Sequence, residues 1–288
     1  MKLPNIVIIC VVSLAAISPS ATIAQNLECC SLSRFDNILR QVNPSSGSTI
    51  QTQVLTLTGE TIVGARGLAW DGVSGQLYGL LELQGQVGAE LVTITQSTGA
   101  CTSLGDTGDT FGAIAFDSAG TLYGLTGAGS ATPRTLFTLS LVDATPTFAL
   151  TLTGGGGGEA LAYNPDDGLL YRASGGIGGA FQTIDPNAGF MVSDISFSGD
   201  DHGVSRAMKY EGPGSNSFLL AGSGNMLHRI TTGGAVSVIG SMDHTSKGLA
   251  LKPENIPTLG QWGLIILTLL LLTAATILFH RRAAVATG

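Results

Sequence analysis

Hydrophobic positions in this chain recur in short alternating runs rather than at helical spacing. Gly67-Leu-Ala-Trp-Asp71 is echoed by Ala113-Ile-Ala-Phe-Asp117, Ala160-Leu-Ala-Tyr-Asn164, Arg206-Ala-Met-Lys-Tyr210 and Gly248-Leu-Ala-Leu-Lys252. The third residue of each run serves as an anchor: Ala69, Ala115, Ala162, Met208 and Ala250, at intervals of 46, 47, 46 and 42 residues. A turn follows the anchor, as in Asp71-Gly-Val-Ser-Gly75 and Asn164-Pro-Asp-Asp-Gly168. Next comes a second apolar run (Gln76-Leu-Tyr-Gly-Leu80, Thr121-Leu-Tyr-Gly-Leu125, Leu169-Leu-Tyr-Arg172, Ser217-Phe-Leu-Leu220). A third run alternates with period 2 (Leu91-Val-Thr-Ile94, Leu136-Phe-Thr-Leu139, Phe181-Gln-Thr-Ile184, Leu227-His-Arg-Ile230), and a fourth strand and a glycine close the unit. Period-2 alternation bounded by turn residues predicts strands.

Four short strands per repeat of 40 to 50 residues predict an all-β chain folded as a single β-propeller. The small anchors suit innermost strands that converge on an axis, with Trp70, Phe116 and Tyr163 wedged between neighbouring blades. The last repeat stops after its first strand. Ser31–Phe35, Asp36–Val42 and Gln51–Leu57 supply the three strands it lacks, so five blades are expected, the fifth closed by strands from both ends of the body. Such closure leaves no open edge strand. The repeat resembles divergent exported bacterial propellers with blades of the form Leu-Tyr-Gly…Ile-Asp-Pro-x-x-Gly, a turn carried here by Asp185-Pro-Asn-Ala-Gly189 and Asn43-Pro-Ser-Ser-Gly47. Two β-sandwiches or a β-solenoid are the alternative folds; the first does not require equal four-strand periods and the second usually has shorter coils.

The two ends read differently from the body. Met1-Lys2 is basic, residues 6–17 are apolar, and Thr22-Ile23-Ala24 offers small residues before Gln25. That is the layout of a secretory signal peptide over 1–24, cleaved after Ala24, which implies export through the Sec translocon. Cys10 lies inside the apolar core and leaves with it. At the other end, Leu264 to Phe279 carries no charge. At 1.5 Å per residue, residues 263–279 give about 25 Å of helix, slightly short of a hydrocarbon core of about 30 Å. Trp262 sits at one edge and the basic tail 280–288, with Arg281 and Arg282, at the other. Arginines mark the cytoplasmic side and Trp the interface, so the body is expected outside.

Ile256, Pro257, Thr258, Leu259, Trp262 and Gly263, followed by the span and then Arg281 and Arg282, resemble the IPTL-CTERM sorting signals of Gram-negative bacteria. Gly260-Gln261 stands where that family commonly has Ser-Glu. These signals are related to the PEP-CTERM signals handled by exosortase-type membrane transpeptidases. The resemblance implies such a transpeptidase as partner, a transient inner-membrane anchor, and a final place at the cell surface, outer membrane or extracellular matrix. The expected division is therefore signal 1–24, propeller 25–253, sorting region 254–263, span 264–279 and tail 280–288. A plain stop-transfer anchor that nothing cuts is the alternative.

Charge narrows the partners. The chain has 13 basic and 20 acidic residues. Lys2, Arg281 and Arg282 lie outside the body, which leaves it near −10. Nucleic acids and anionic membrane surfaces need basic patches and are not expected ligands. After signal removal Cys29, Cys30 and Cys101 remain; outside the cytoplasm one disulfide is expected, from Cys101 to Cys29 or Cys30.

Chemical motifs are sparse. No Gly-x-Ser-x-Gly elbow sits in a strand-turn-helix context. The run Gly154–Gly158 lacks the Lys-Ser/Thr ending and following helix of a phosphate loop and reads as a flexible loop. Loops entering the innermost strands gather at one channel mouth, and the residues three before the anchors are Arg66, Gly112, Glu159, Ser205 and Lys247. Arg66, Glu159 and Lys247 form a mixed-charge candidate ligand site, or a ring of ion pairs lining a wet channel. Asp201-His202 and Asp243-His244 lie at equivalent places in adjacent repeats, with Asp200 and Asp109 on related loops. Convergence of the four would suit Zn2+ or another divalent cation; ordinary turn chemistry is the alternative. No cofactor is required by the sequence. His228, in an alternating strand, is expected at the surface.

No catalytic triad or acid pair is legible. The function expected is therefore a surface-sorted, non-catalytic binding or scaffold module, with a glycan or protein ligand, or an envelope-matrix protein. The alternative is an extracytoplasmic hydrolase or lyase using the channel mouth. A propeller hosts all of these, so fold alone does not choose.

Overall fold

The computed structural model describes residues 28–252 apart from residue 177. The signal peptide, sorting region, span and tail expected from the sequence lie outside the described residues. Among the described residues no helix is long and apolar enough to cross a membrane.

The chain enters through β1 (Cys29–Ser33), β2 (Ile38–Val42) and β3 (Thr49–Val54). Four blades follow. Blade I is β4 (Ile62–Trp70), β5 (Leu77–Leu83), β6 (Glu90–Thr95) and β7 (Ala100–Asp106). Blade II is β8 (Phe111–Phe116), β9 (Leu122–Thr126), β10 (Thr135–Leu139) and β11 (Pro146–Thr151). Blade III is β12 (Ala160–Asn164), β13 (Leu169–Ser174), β14 (Ala180–Asp185) and β15 (Met191–Ile195). After the short β16 (Ser198–Gly199), blade IV is β17 (Ala207–Tyr210), β18 (Ser217–Ala221), β19 (Met226–Thr231) and β20 (Ala235–Ser241). The last strand, β21 (Ser246–Leu251), pairs antiparallel with β1 to complete blade V in the order β21-β1-β2-β3. β16 adds a fifth, parallel strand beside β20.

The five innermost strands pack against one another in the cycle β4, β8, β12, β17, β21 and back to β4. The protein is a five-bladed β-propeller, as the repeat predicts, and its ring is closed by pairing the two ends of the body.

The core is divided into five apolar seams, one per blade interface. Leu32, Trp70, Leu77 and Ala250 fill the seam between blades V and I. Tyr78 of blade I meets Phe116 of blade II edge-to-face at 5.0 Å. Tyr171 of blade III packs on Phe218 of blade IV at 4.6 Å. The anchors Ala69, Ala115, Ala162, Met208 and Ala250 are all buried, because the innermost strands approach too closely for larger side chains to be shared by every blade. Outermost strands such as β3 and β15 are mostly exposed. The turns after the anchors are held alike: Asp71, Asp117 and Asn164 each accept the backbone N–H two residues on, at 2.9, 2.9 and 3.0 Å. These Asx turns explain why Asp or Asn recurs there.

His228 departs from expectation: it lies in β19 but is only 2% exposed. Period-2 alternation marks two faces of a strand, and both faces of β19 are covered by neighbouring blades: Ile230 packs in the seam with blade III and Leu227 in the seam with blade V. Alternation therefore does not mean one wet face.

Candidate functional site

The entry points of the innermost strands do converge, but the side chains there are sorted by their partners. Glu159, at the start of blade III, is not free for a ligand. It is 3% exposed and takes a two-point contact from Arg172, Nε to Oε2 at 2.8 Å and Nη2 to Oε1 at 2.9 Å. Ser174 Oγ donates to the same carboxylate at 3.1 Å. Arg172 Nη1 donates further to Gln182 Oε1 at 2.7 Å and to the Thr153 carbonyl at 3.0 Å. Two-point Arg–carboxylate contacts of this kind are the strong ones.

Arg172 occupies the place of Gly79 and Gly124 in the other blades, and Gln182 pairs with it as Val92 and Phe137 pair with those glycines. Blade III thus has a polar centre where blades I and II are apolar. The glycine run serves this centre. A Cβ on Gly155 would sit 2.5 Å from Ser174 Oγ and 3.0 Å from Arg172 Nη2, and one on Gly158 would sit 2.0 Å from the Ser205 carbonyl. Both residues also have positive φ. The run is a close-packed cover over the guanidinium, held by the contact of Arg172 Nη2 with the Gly154 carbonyl at 3.2 Å.

Arg66 and Lys247 fare differently. Arg66 Nε contacts Glu82 Oε1, and Arg34 Nε lies 3.7 Å from the same oxygen. Lys247 stands at a β-bulge. β1 pairs Leu32 with Gly248 and Ser33 with Ser246, which leaves Lys247 out of the ladder. A bulge of this kind re-aims a side chain. Lys247 forms no ion pair among the described residues, and the charges that act on it are Arg206, Arg66, Arg34 and Glu82. Burial pushes its ammonium down to about 8, the three guanidiniums push the same way, and Glu82 opposes them. Arg206, immediately before β17, has a buried Nε with no hydrogen-bond partner. Apart from Glu159, which Arg172 neutralises, the mouth is therefore predominantly basic, with Glu82 as its other carboxylate, although the body as a whole is acidic. Sequence spacing located Arg66 and Lys247. It missed Arg34, which lies in the turn after β1, and Arg206, which is offset by one residue from the predicted ring position. Ser205, the ring position itself, is fully buried.

The four residues proposed for a metal do not come together: among the described residues no group of three or more His, Cys, Asp or Glu is arranged to hold an ion. His202 Nε2 lies 3.1 Å from both the Gly175 carbonyl and Ser205 Oγ, which fixes the loop between blades III and IV. Its ring faces His228 at 6.2 Å and Phe197 at 4.7 Å. His244 belongs to another seam. Its Nδ1 lies 2.7 Å from Asp243 Oδ1 and its Nε2 lies 2.7 Å from Ser31 Oγ. The two Asp-His pairs also differ locally: Asp201 accepts the Gly203 N–H at 2.9 Å, whereas Asp243 accepts from Thr49 Oγ1 at 2.8 Å, and the two imidazoles lie in different parts of the ring.

The contact order Asp243, His244, Ser31 matches that of an acyl-transfer triad. Two observations set it apart. Ser31 is fully buried, and its hydroxyl donates onward to Ser246 Oγ at 2.9 Å, which in turn donates to the Gly248 carbonyl at 3.2 Å. A nucleophile needs an open path to its substrate, and full burial inside the blade denies Ser31 one.

Cys29, Cys30 and Cys101 are free thiols, so the expected disulfide is not formed here. Adjacent in β1, Cys29 and Cys30 face opposite seams: Cys30 shares the blade V–I cluster with Cys101, and Cys29 packs between blades IV and V. Burial raises all three thiols, Cys30 to about 12 and Cys101 to about 11. A separate cleft of about 330 Å3 lies beside Lys252, lined by Gln41, Gln51, Gln53 and Gln96.

The IPTL-CTERM motif matches residues 256–282. It implies an exported chain that is processed at the membrane by an exosortase-like system. No curated protein sequence matches the chain. Among solved structures, the body is similar to a chain in the crystal structure of a nidogen/laminin complex, at 12% identity and TM-score 0.52, over 77% of this chain and 81% of that one. It is also similar to a structural genomics protein of unknown function from Bacteroides thetaiotaomicron VPI-5482, at 14% identity and TM-score 0.49, over 78% and 62%. An auxiliary nutrient binding protein from the same organism aligns at 11% identity and TM-score 0.48, over 78% and 64%. At such identities likeness speaks for the fold alone, and the first of these supports it.

Proposed function

We propose that this chain is an exported, surface-sorted propeller that acts as a non-catalytic binding or scaffold module of the envelope or its matrix. One relationship carries the reading. The strand that closes the ring, β21, ends at Leu251, and the sorting motif begins five residues later at Ile256. The body is complete as a fold before the signal begins, so processing beyond that point releases or transfers a finished ring. Pairing of β21 with β1 leaves neither end of the body as a lone strand to aggregate while it waits. In this scheme the Sec translocon exports the chain, the span over 264–279 holds it at the inner membrane, and an exosortase-like transpeptidase acts in the short gap.

Mass spectrometry of the mature C-terminus tests the scheme in a host with and without the exosortase-like gene. Loss of Arg281 and Arg282 that depends on that gene is expected. A surface-located chain that retains Arg282 in both hosts would leave a plain anchor.

A further inference from the structure

Two cations at the channel mouth lack an explanation in the fold itself. Arg34 and Arg66 share Glu82, but Lys247 and Arg206 have no carboxylate partner among the described residues. Both are partly buried. Burying an unpaired charge is costly, and gathering like charges adds to the cost. A fold that needed only packing would be served better by apolar side chains.

Neighbouring blades supply the groups: Lys247 from the bulge of β21, Arg206 from the entry to β17, Arg66 from β4 and Arg34 from the turn after β1. The axis beside them is narrow. A Cβ on Gly248 would sit 2.9 Å from Leu68 Cβ and 3.1 Å from the Gly67 backbone, so blades V and I nearly touch there. A single acid group fits such a mouth better than an extended polyanion. The acidic body also repels extended polyanions.

Resting on the binding-module reading, we propose that this mouth is an anion site for a small ligand bearing one oxyanion group, a carboxylate or a sulfate on an otherwise neutral scaffold such as a sugar. Lys247 and Arg206 supply the free charge. Arg66 and Arg34, already held on Glu82, frame it. An arriving anion replaces the missing counter-charge, so it binds most tightly while Lys247 is protonated.

Calorimetry on the purified full-length protein tests this, with D-glucuronate, D-glucose 6-sulfate and, as neutral control, D-glucose. The expected result is millimolar or tighter binding of at least one acid and none of glucose. Lys247→Gln and Arg206→Gln should each weaken that binding about tenfold, and wild-type affinity should fall as pH rises from 7 to 9. Relief of like-charge repulsion should leave Lys247→Gln at least as heat-stable as the wild type, which separates lost binding from lost folding. Absence of binding by both acids overturns the proposal, as does binding that both substitutions leave intact. Glucose binding unaffected by either substitution would overturn the anion site while preserving the binding-module reading.

Discussion

His244 and Ser31 lie 213 positions apart, yet His244 Nε2 contacts Ser31 Oγ at 2.7 Å. The contact joins the turn that leads into the last strand to the first strand of the body. Asp243 extends it: its carboxylate accepts from Thr49 Oγ1 at 2.8 Å at the start of β3 and lies 3.9 Å from Arg40 Nε in β2. One Asp-His dipeptide thus ties β21 to all three N-terminal strands of blade V.

This latch should matter for stability. His244→Ala leaves the buried Ser31 hydroxyl short of a partner, which costs about 1–3 kcal/mol. For a body of this size the melting temperature should fall by roughly 3–10 °C. A calorimetric scan checks it. The same geometry predicts that Ser31 resists a fluorophosphonate probe. Labelling of Ser31 would turn the latch into a nucleophile.

The Glu159–Arg172 pair in blade III gives a second outcome. Removing one partner leaves an uncompensated buried charge, so Glu159→Gln should cost about 3–5 kcal/mol. The double substitution Glu159→Leu with Arg172→Met should recover much of that loss. Chemical denaturation of the wild type and the two variants decides the matter; equal loss in the single and double variants would show that the wider network with Gln182 and Ser174 matters more than the charge.

His202 and His228 predict the response to acid. Burial lowers the pKa of both; His202 is lowered further by His228, while Asp201 pulls it up. The Leu220 backbone contact, Asp200 and Asp201 oppose the burial effect on His228. A depressed folded pKa means that the unfolded chain binds protons first. The stability these two residues contribute is therefore present above about pH 6.5 and is lost as pH falls through their folded values. Melting temperatures measured from pH 7.5 down to pH 5 should decline, and the decline should be shallower in His228→Gln.

Oxidation offers a fourth test. Cys30 and Cys101 share one seam and Cys29 faces another, so a disulfide formed after export should join Cys30 to Cys101. Peptide mapping under non-reducing conditions reads this directly. A Cys29–Cys101 peptide would require β1 to turn over, with loss of its register to β21.

Much of the fold was legible because it depends on short-range periodicity. The 46-residue interval, the small anchors and the Asp or Asn after each anchor record the tight axis and the Asx turns one residue at a time. The composite fifth blade was legible for the same reason, since each end of the body lacked what the other carried. His228 misled because alternation reports two faces without saying what covers them.

The candidate site was only half legible. Spacing brought Arg66, Glu159 and Lys247 to one mouth, but it could not say that Arg172, in a glycine's place in the second strand of blade III, had already taken Glu159. Nor could it separate His202 from His244, whose loops look alike in sequence. By itself the sequence determined the number of blades, the closure of the ring and the sorting motif at residues 256–282, because those are repeats and contiguous patterns. Tertiary structure alone decided which charges are paired. A salt bridge or an orphaned cation depends on contacts between strands that sequence distance does not order, and that pairing leaves Lys247 and Arg206 without a partner at the mouth.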